Sequence, residues 1–166
     1  LILSGFAGAS IAAEIGTMNV SEELLALETS AIHPVPFLIA PRVLACMLMT
    51  PCLVVVADFL GIFGGWLIGC SILDIDPRLF VDLAIGSIDL KMIFFGIFKG
   101  VAFGGAIGTI ACYQGIRVTG GAEGVGRETT RAVVRSMVTI IAMNLLFSGF
   151  YYIYFERETI GAIFGV

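Results

Sequence analysis

Residues 92–113 read MIFFGIFKGVAFGGAIGTIACY, an almost unbroken apolar run long enough to cross a bilayer as one helix. Gly96, Gly100, Gly104 and Gly108 recur in it four residues apart, which puts them on one helix face. With no side chains there, another backbone can approach closely. Lys99 is the cation of the run, about 60 to 100° around the helix from the glycines. An ammonium in hydrocarbon costs roughly 2.5 to 3.5 kcal/mol or more unless it faces protein, water or a polar ligand. A glycine face beside a buried charge suits a helix that works in contact with others.

The rest of the chain agrees. Of 166 residues, 58% are hydrophobic and only 13% charged, and the mean hydropathy is +1.04. A soluble domain is about 25% charged, so the expectation is an all-α integral membrane protein. The sequence opens at Leu1 inside an apolar segment, without a basic leader or cleavage site, and reads as the interior of a longer chain. A net charge of −4 with few, local cations argues against nucleic acid as a partner. Cys46, Cys52, Cys70 and Cys112 fall in apolar runs without metal spacing and read as small hydrophobes. No catalytic dyad or metal cluster is legible, so neither an enzyme nor a resident metal or cofactor is expected.

In chain order, residues 1–14 read as the end of a transmembrane helix, with Glu14 marking its exit. Small residues fall four apart there (Gly5, Ala9, Ala13; Gly8, Ala12, Gly16). Residues 19–32 are short, amphipathic and too polar to span. Asn19 and Glu22 fit a variant capping box, and Val20, Leu24, Leu27 and Ala31 form an apolar stripe beside Glu22, Glu23 and Glu28. His33-Pro34-Val35-Pro36 ends that helix. Membrane-surface helices carry Lys and Arg on the polar face; this one carries carboxylates, so it is expected to dock on a protein.

Residues 43–72 form the next crossing, with Pro51 as a kink site and a ladder of Gly61, Gly65 and Gly69. Asp58 lies about 20° from Gly65 around that helix, which places it on the packed face. Residues 73–91 read as an acidic loop, 92–113 as a crossing and 114–128 as a glycine-rich connector. That connector lacks the nucleotide-loop pattern. Residues 129–155 form the last crossing, with Asn144 inside and Tyr151, Tyr152 and Tyr154 as an interfacial belt. Arg127, Arg131 and Arg135 make a basic stripe at its start. Arg42, Arg117 and that stripe outnumber Arg78, Lys91 and Arg157, which puts the short amphipathic helix in the cytoplasm. Rise per residue sets Lys99 roughly 10 Å, Asn144 roughly 16 Å and Asp58 roughly 21 Å from the outer ends of their helices. Lys99 is thus nearer in depth to Asn144 than to Asp58. Lys99 either snorkels outward or offers its charge to an anionic ligand, and Asp58 either pairs structurally or serves transport.

Two sets of motifs resemble a known family. One is Ala13-Glu14-Ile15-Gly16-Thr17-Met18-Asn19-Val20-Ser21-Glu22, with Ala26-Leu27, His33-Pro34 and Pro41-Arg42. The other is Ala57-Asp58 with Gly61 and Gly64-Gly65, then Gly124-Val125-Gly126-Arg127 and the run from Thr129 to Val134. Together they are similar to the MlaE/YrbE permeases of Mla and Mce lipid-transport ABC systems.

The resemblance implies a permease bundle that moves phospholipid or a related lipid, in a bacterial inner membrane or, as the alternative, a plastid inner envelope. It implies a homodimer, a cytoplasmic ABC ATPase dimer that holds ATP and Mg, an MCE-domain ring on the opposite face and a small STAS-type accessory subunit. The family has an interfacial helix, a first crossing and most of a second before the position of Leu1. Residues 19–32 would be the coupling helix, with Glu14, Val20, Glu22, Glu23, Leu24, Leu27 and Glu28 serving the ATPase contact. Lys99 and Asn144 fall where the family places polar groups in the membrane. Phe6, Leu25 and Asn144 stand where Arg, Asp and Asp are common. A scaffold that only anchors the ATPase and the ring is the competing reading.

Overall fold

All regular elements among the described residues, which are 1–72, 75–87 and 90–153 of a computed structural model, are helices. They are α1 (Ile2–Val20), α2 (Glu23–Thr29), a π-helical turn (Val35–Ile39) running into α3 (Ala40–Ile72), α4 (Pro77–Ser87), α5 (Leu90–Ile116) and α6 (Gly121–Tyr151). Three stretches are long and apolar enough to cross a membrane: Val35–Ile72, Leu90–Ile116 and Gly121–Tyr151. The chain divides into two compact units, residues 1–44 with 105 onward, and residues 45–104.

The first unit is built on α1 and α6. The buried positions of α1 include Ser4, Gly8, Ala12 and Gly16, and those of α6 are Gly124, Glu128, Ala132, Ser136 and Ile140. Both sets repeat every four residues, so each helix offers one ridge of mostly small side chains to the other. The helices run antiparallel: a Cβ on Gly5 would lie 3.5 Å from Met137, one on Gly8 3.8 Å from Ser136 Oγ, and one on Gly16 3.5 Å from Val125. Ala111 of α5 joins Ala12 and Ala132 in the core.

In the second unit, α5 lies against the proline turn of α3. A Cβ on Gly100 would come 3.1 Å from Pro51 Cα, and one on Gly104 would collide with the Cys46 carbonyl and Thr50 Oγ1. Pro51 has no N–H to give the preceding turn, and the Thr50 hydroxyl donates to the Cys46 carbonyl at 2.7 Å. The glycine ladder of α5 therefore meets exposed backbone. Gly96, one turn on, meets nothing within 4 Å. In α3, Gly65 and Gly69 face Phe80 of α4 at 3.6 and 3.5 Å, while Gly61 faces open space.

Several boundaries differ from the sequence reading. The first helix continues past residue 14 to Val20 and contains Asn19, so Asn19 and Glu22 do not form a capping box. Glu22 instead adopts φ 62°, a left-handed conformation that breaks the chain between α1 and α2. The stretch 73–91 holds α4, because Asp76 accepts a hydrogen bond from the Arg78 N–H (2.9 Å) and Pro77 opens the helix. The connector 114–128 is largely helical. Its turn closes at Gly120 and Gly121 (φ 90° and 71°), and α6 starts there rather than at 129. Gly124 is required in the first turn of α6, since a Cβ would overlap the Thr119 carbonyl. Tyr154 and Arg157 lie outside the described residues.

The close approach makes a contrast that thermal unfolding in detergent can read. Gly104→Ala is expected to destabilise by about 1 to 3 kcal/mol, the usual cost of forcing a methyl into a filled site. Gly96→Ala is expected to be neutral or stabilising, because only the helix-propensity gain remains. Equal shifts in the two variants would refute the seam.

Candidate functional site

The corner around α2 draws together most of the residues singled out for partner contact. α2 has seven residues, too few to persist alone in water, so its ends must be held. At its start, the Ser21 hydroxyl donates to Glu23 Oε1 (3.0 Å). At its end, Ile32 N–H donates to the Leu27 carbonyl (3.1 Å) and Ala31 N–H to the Glu28 carbonyl (3.0 Å), with Ala31 at φ 60°. This is a Schellman closure with alanine at the left-handed position that usually takes glycine. Leu24 and Leu27 are half-buried and share a cleft with Leu38 from the π-helical turn. Glu22, Glu23, Glu28 and Val20 are exposed, and so is Leu25, at 56%. The outward face of the corner is thus acidic with two apolar knobs, and Leu25, absent from the expected set, is one of them.

A second cleft of 270 Å³ opens beside this corner, lined by Ile15 and Asn19 of α1, Leu24 and Glu28 of α2, Leu38, and Ile116 of α5. Asn19 is the polar hinge of that junction. Its amide nitrogen donates to the carbonyls of Ile116 and Val118, each at 3.0 Å, and so serves two of the acceptors that a helix end leaves open. Glu14, expected at the partner contact, pairs with Arg42 at the start of α3 (2.7 Å) and stays more than half exposed. Arg42 is the more buried of the two, and its Nη1 has no hydrogen-bond partner among the described residues.

The basic stripe is not a bare cationic face. Glu128, 7% exposed on the α6 ridge, accepts a hydrogen bond from Arg131 and lies 3.8 Å from Arg127 Nε. Arg135 Nε reaches the Gln114 side-chain oxygen at 3.1 Å once that amide is oriented to face the guanidinium. Gln114 is 1% exposed, so this hydrogen bond serves a buried amide that would otherwise be costly. Glu128 precedes Arg131 by three residues, a spacing readable in the sequence. Its burial, and the contact between Gln114 and Arg135, were not readable.

In the second unit Lys99 is half-buried, and its ammonium lies 5.7 Å from the centroid of the Phe103 ring, one turn along α5. That cation–π contact offsets part of the cost of a charge in hydrocarbon. Asp58, expected on a packed face, is exposed, because Phe80 covers Gly65 and Gly69 but not the turn that carries Asp58. Asn144 is exposed on α6, in the first unit. An apolar cleft of 370 Å³ separates α3 from α4, lined by Phe59, Phe63 and Trp66 on one side and Phe80, Val81 and Ile85 on the other. No group of acidic, His or Cys side chains able to hold a metal occurs among the described residues.

Residues 1–150 match the family described as Permease MlaE. A probable ABC transporter permease protein of Rickettsia prowazekii is 40% identical over 152 residues, 92% of this chain and 59% of that protein. One from Synechocystis is 40% identical over 148 residues, 89% and 56% of the two chains. The chloroplastic protein TRIGALACTOSYLDIACYLGLYCEROL 1 of Arabidopsis thaliana is 34% identical over 152 residues, 92% and 43%. The chain thus spans 59% or less of the length of these relatives.

Two substitutions test the corner. Ala31→Gly removes the left-handed penalty and is expected to stabilise by about 1 kcal/mol. Glu128→Ala strips the acceptor from its arginines and is expected to destabilise by about 1 to 3 kcal/mol, moderated because both guanidiniums are half exposed. Chemical denaturation in mild detergent reads both; a loss of stability in Ala31→Gly would contradict the Schellman geometry.

Proposed function

Since the chain belongs to the MlaE permease family, we propose that it is the permease subunit of an ABC transporter that moves phospholipid or a related lipid. ATP, with Mg, is hydrolysed in a partner ATPase dimer, and the lipid passes between the bacterial inner membrane and an MCE-type ring. Two copies of the permease form the transport unit, with a small STAS-type subunit as a further associate. The observation that carries the reading is α2: a seven-residue helix held at both ends that turns Glu22, Glu23, Leu25 and Glu28 outward. A helix that small buries too little to serve its own fold, so its exposed face is for a partner, and its carboxylates call for a basic groove.

Lipid as the cargo is supported by three features. The name of the Arabidopsis relative is that of a glycolipid. The cleft between α3 and α4 is lined by apolar side chains and lies within the size range of small-molecule pockets. Lys99 gives α5 a cation suited to a phosphate, its charge held by Phe103. On this reading the basic end of α6 and the α2 corner face the ATPase.

The full-length permease, reconstituted in vesicles with its ATPase and ring protein, provides the test. Leu25→Lys, which sets a cation against the basic groove, is expected to lower ATPase binding and ATP-driven transfer of a fluorescent phospholipid by about tenfold or more, a loss of about 1.4 kcal/mol. Lys99→Ala is expected to lower transfer while ATPase binding stays intact. Wild-type transfer in both variants would remove the roles assigned here, and a complex that binds ATPase and ring but moves no lipid would establish a scaffold.

A further inference from the structure

We infer that Asn19 is the positioning residue through which a displacement of α2 reaches α5, an inference that rests on reading α2 as the helix that docks the ATPase. Asn19 lies in the last turn of α1, two residues before the Ser21-Glu22 corner from which α2 departs. Its side-chain nitrogen carries two hydrogens, and both are used, on the Ile116 and Val118 carbonyls at 3.0 Å each. Those acceptors lie at the end of α5 and two residues beyond it, where helix carbonyls lack intrahelical donors. One side chain therefore fixes both the position and the direction of the α5 terminus.

Packing at the same place leaves no slack. A Cβ on Gly115 would lie 2.7 Å from Ile15 Cβ, and one on Gly16 would lie 2.8 Å from Val118 Cγ2. The last turns of α1 and α5 are in near-backbone contact, and the Asn19 pair adds two directional hydrogen bonds beside that contact. On the other flank, the Glu14–Arg42 pair ties α1 to the start of α3. That pair joins two long flexible side chains with Glu14 mostly exposed, and such pairs are weak. Of the two ties, the amide is the stiffer one. α5 is the helix that carries Lys99, so a shift imposed on the α1–α2 corner is delivered to the helix bearing the intramembrane cation.

Asn19→Asp keeps the side-chain shape but replaces both donors with an acceptor set against two carbonyls. In the full-length complex in vesicles, this variant is expected to retain ATPase binding while phospholipid molecules transferred per ATP hydrolysed fall about fivefold or more, the lower end of ordinary coupling between sites. A structural role alone would lower binding, hydrolysis and transfer in parallel, and that result, or wild-type coupling, overturns the inference. Hydrogen exchange on the unmodified complex decides the matter without the variant. Adding a non-hydrolysable ATP analogue is expected to change protection both in residues 23–29 and in residues 110–118. Change confined to 23–29 overturns the Asn19 link and leaves the docking of α2 standing. No change in either segment overturns the docking reading itself.

Discussion

Apolar side chains in hydrocarbon gain little by meeting each other instead of lipid, so helices hold where their backbones come close enough for dense contact. Both units of this chain obey that constraint. In the first, Ser4, Gly8, Ala12 and Gly16 meet the matching four-residue ridge of α6. In the second, Gly100 and Gly104 rest on the Pro51 turn of α3. Large side chains are spent elsewhere: Phe59, Leu60, Leu145 and Leu146 are 60 to 74% exposed, as expected of surfaces that face lipid or another protein. The ordinary rule of apolar inside and polar outside is inverted here, with serines and glycines forming the seam.

That inversion sets where charge can go. A carboxylate on a buried ridge is tolerable only beside cations, and Glu128 has Arg127 and Arg131 on the same helix. Gln114 likewise accepts from Arg135, Asn19 donates to carbonyls at a helix end, and Arg42 meets Glu14 as its counter-charge. Polar contacts thus gather at the end of the first unit that holds α2, and the seam towards Ile140 is small or apolar. Ser136 is the exception, its buried hydroxyl without a hydrogen-bond partner among the described residues, and it lies against Gly8.

The three crossings and the importance of the glycine ladders were legible because length, hydropathy and four-residue spacing are properties of the chain itself. Gly100 and Gly104 needed only their period to be noticed; that their partner is a proline turn was not legible, because it depends on a residue some fifty positions away. α4 could have been found from Asp76-Pro77, a cap followed by a residue preorganised for a first turn, but the acidic residues around it pointed to a loop. Asn19 misled for a physical reason. Asn caps helices by accepting hydrogen bonds from backbone N–H groups, and the same amide can cap the far end of another helix by donating to its carbonyls; local sequence gives no means of choosing between these roles.

The conformation of the α2 corner bears on how it can act. Glu22 and Ala31 both adopt left-handed backbone angles, without the glycine that would make them easy, and each costs about 1 to 2 kcal/mol. Such strain persists only where surroundings over-determine it. Here the surroundings are the Schellman closure after Thr29, the cleft that Leu24 and Leu27 share with Leu38, and the Asn19 amide at the base. A glycine at either position would let the corner bend at little cost. Glutamate and alanine instead resist bending, so a load applied to the exposed face of α2 moves the corner as one piece. A stiff corner on a seven-residue helix is what a transmitted displacement requires, whereas an anchor would work as well with a flexible one.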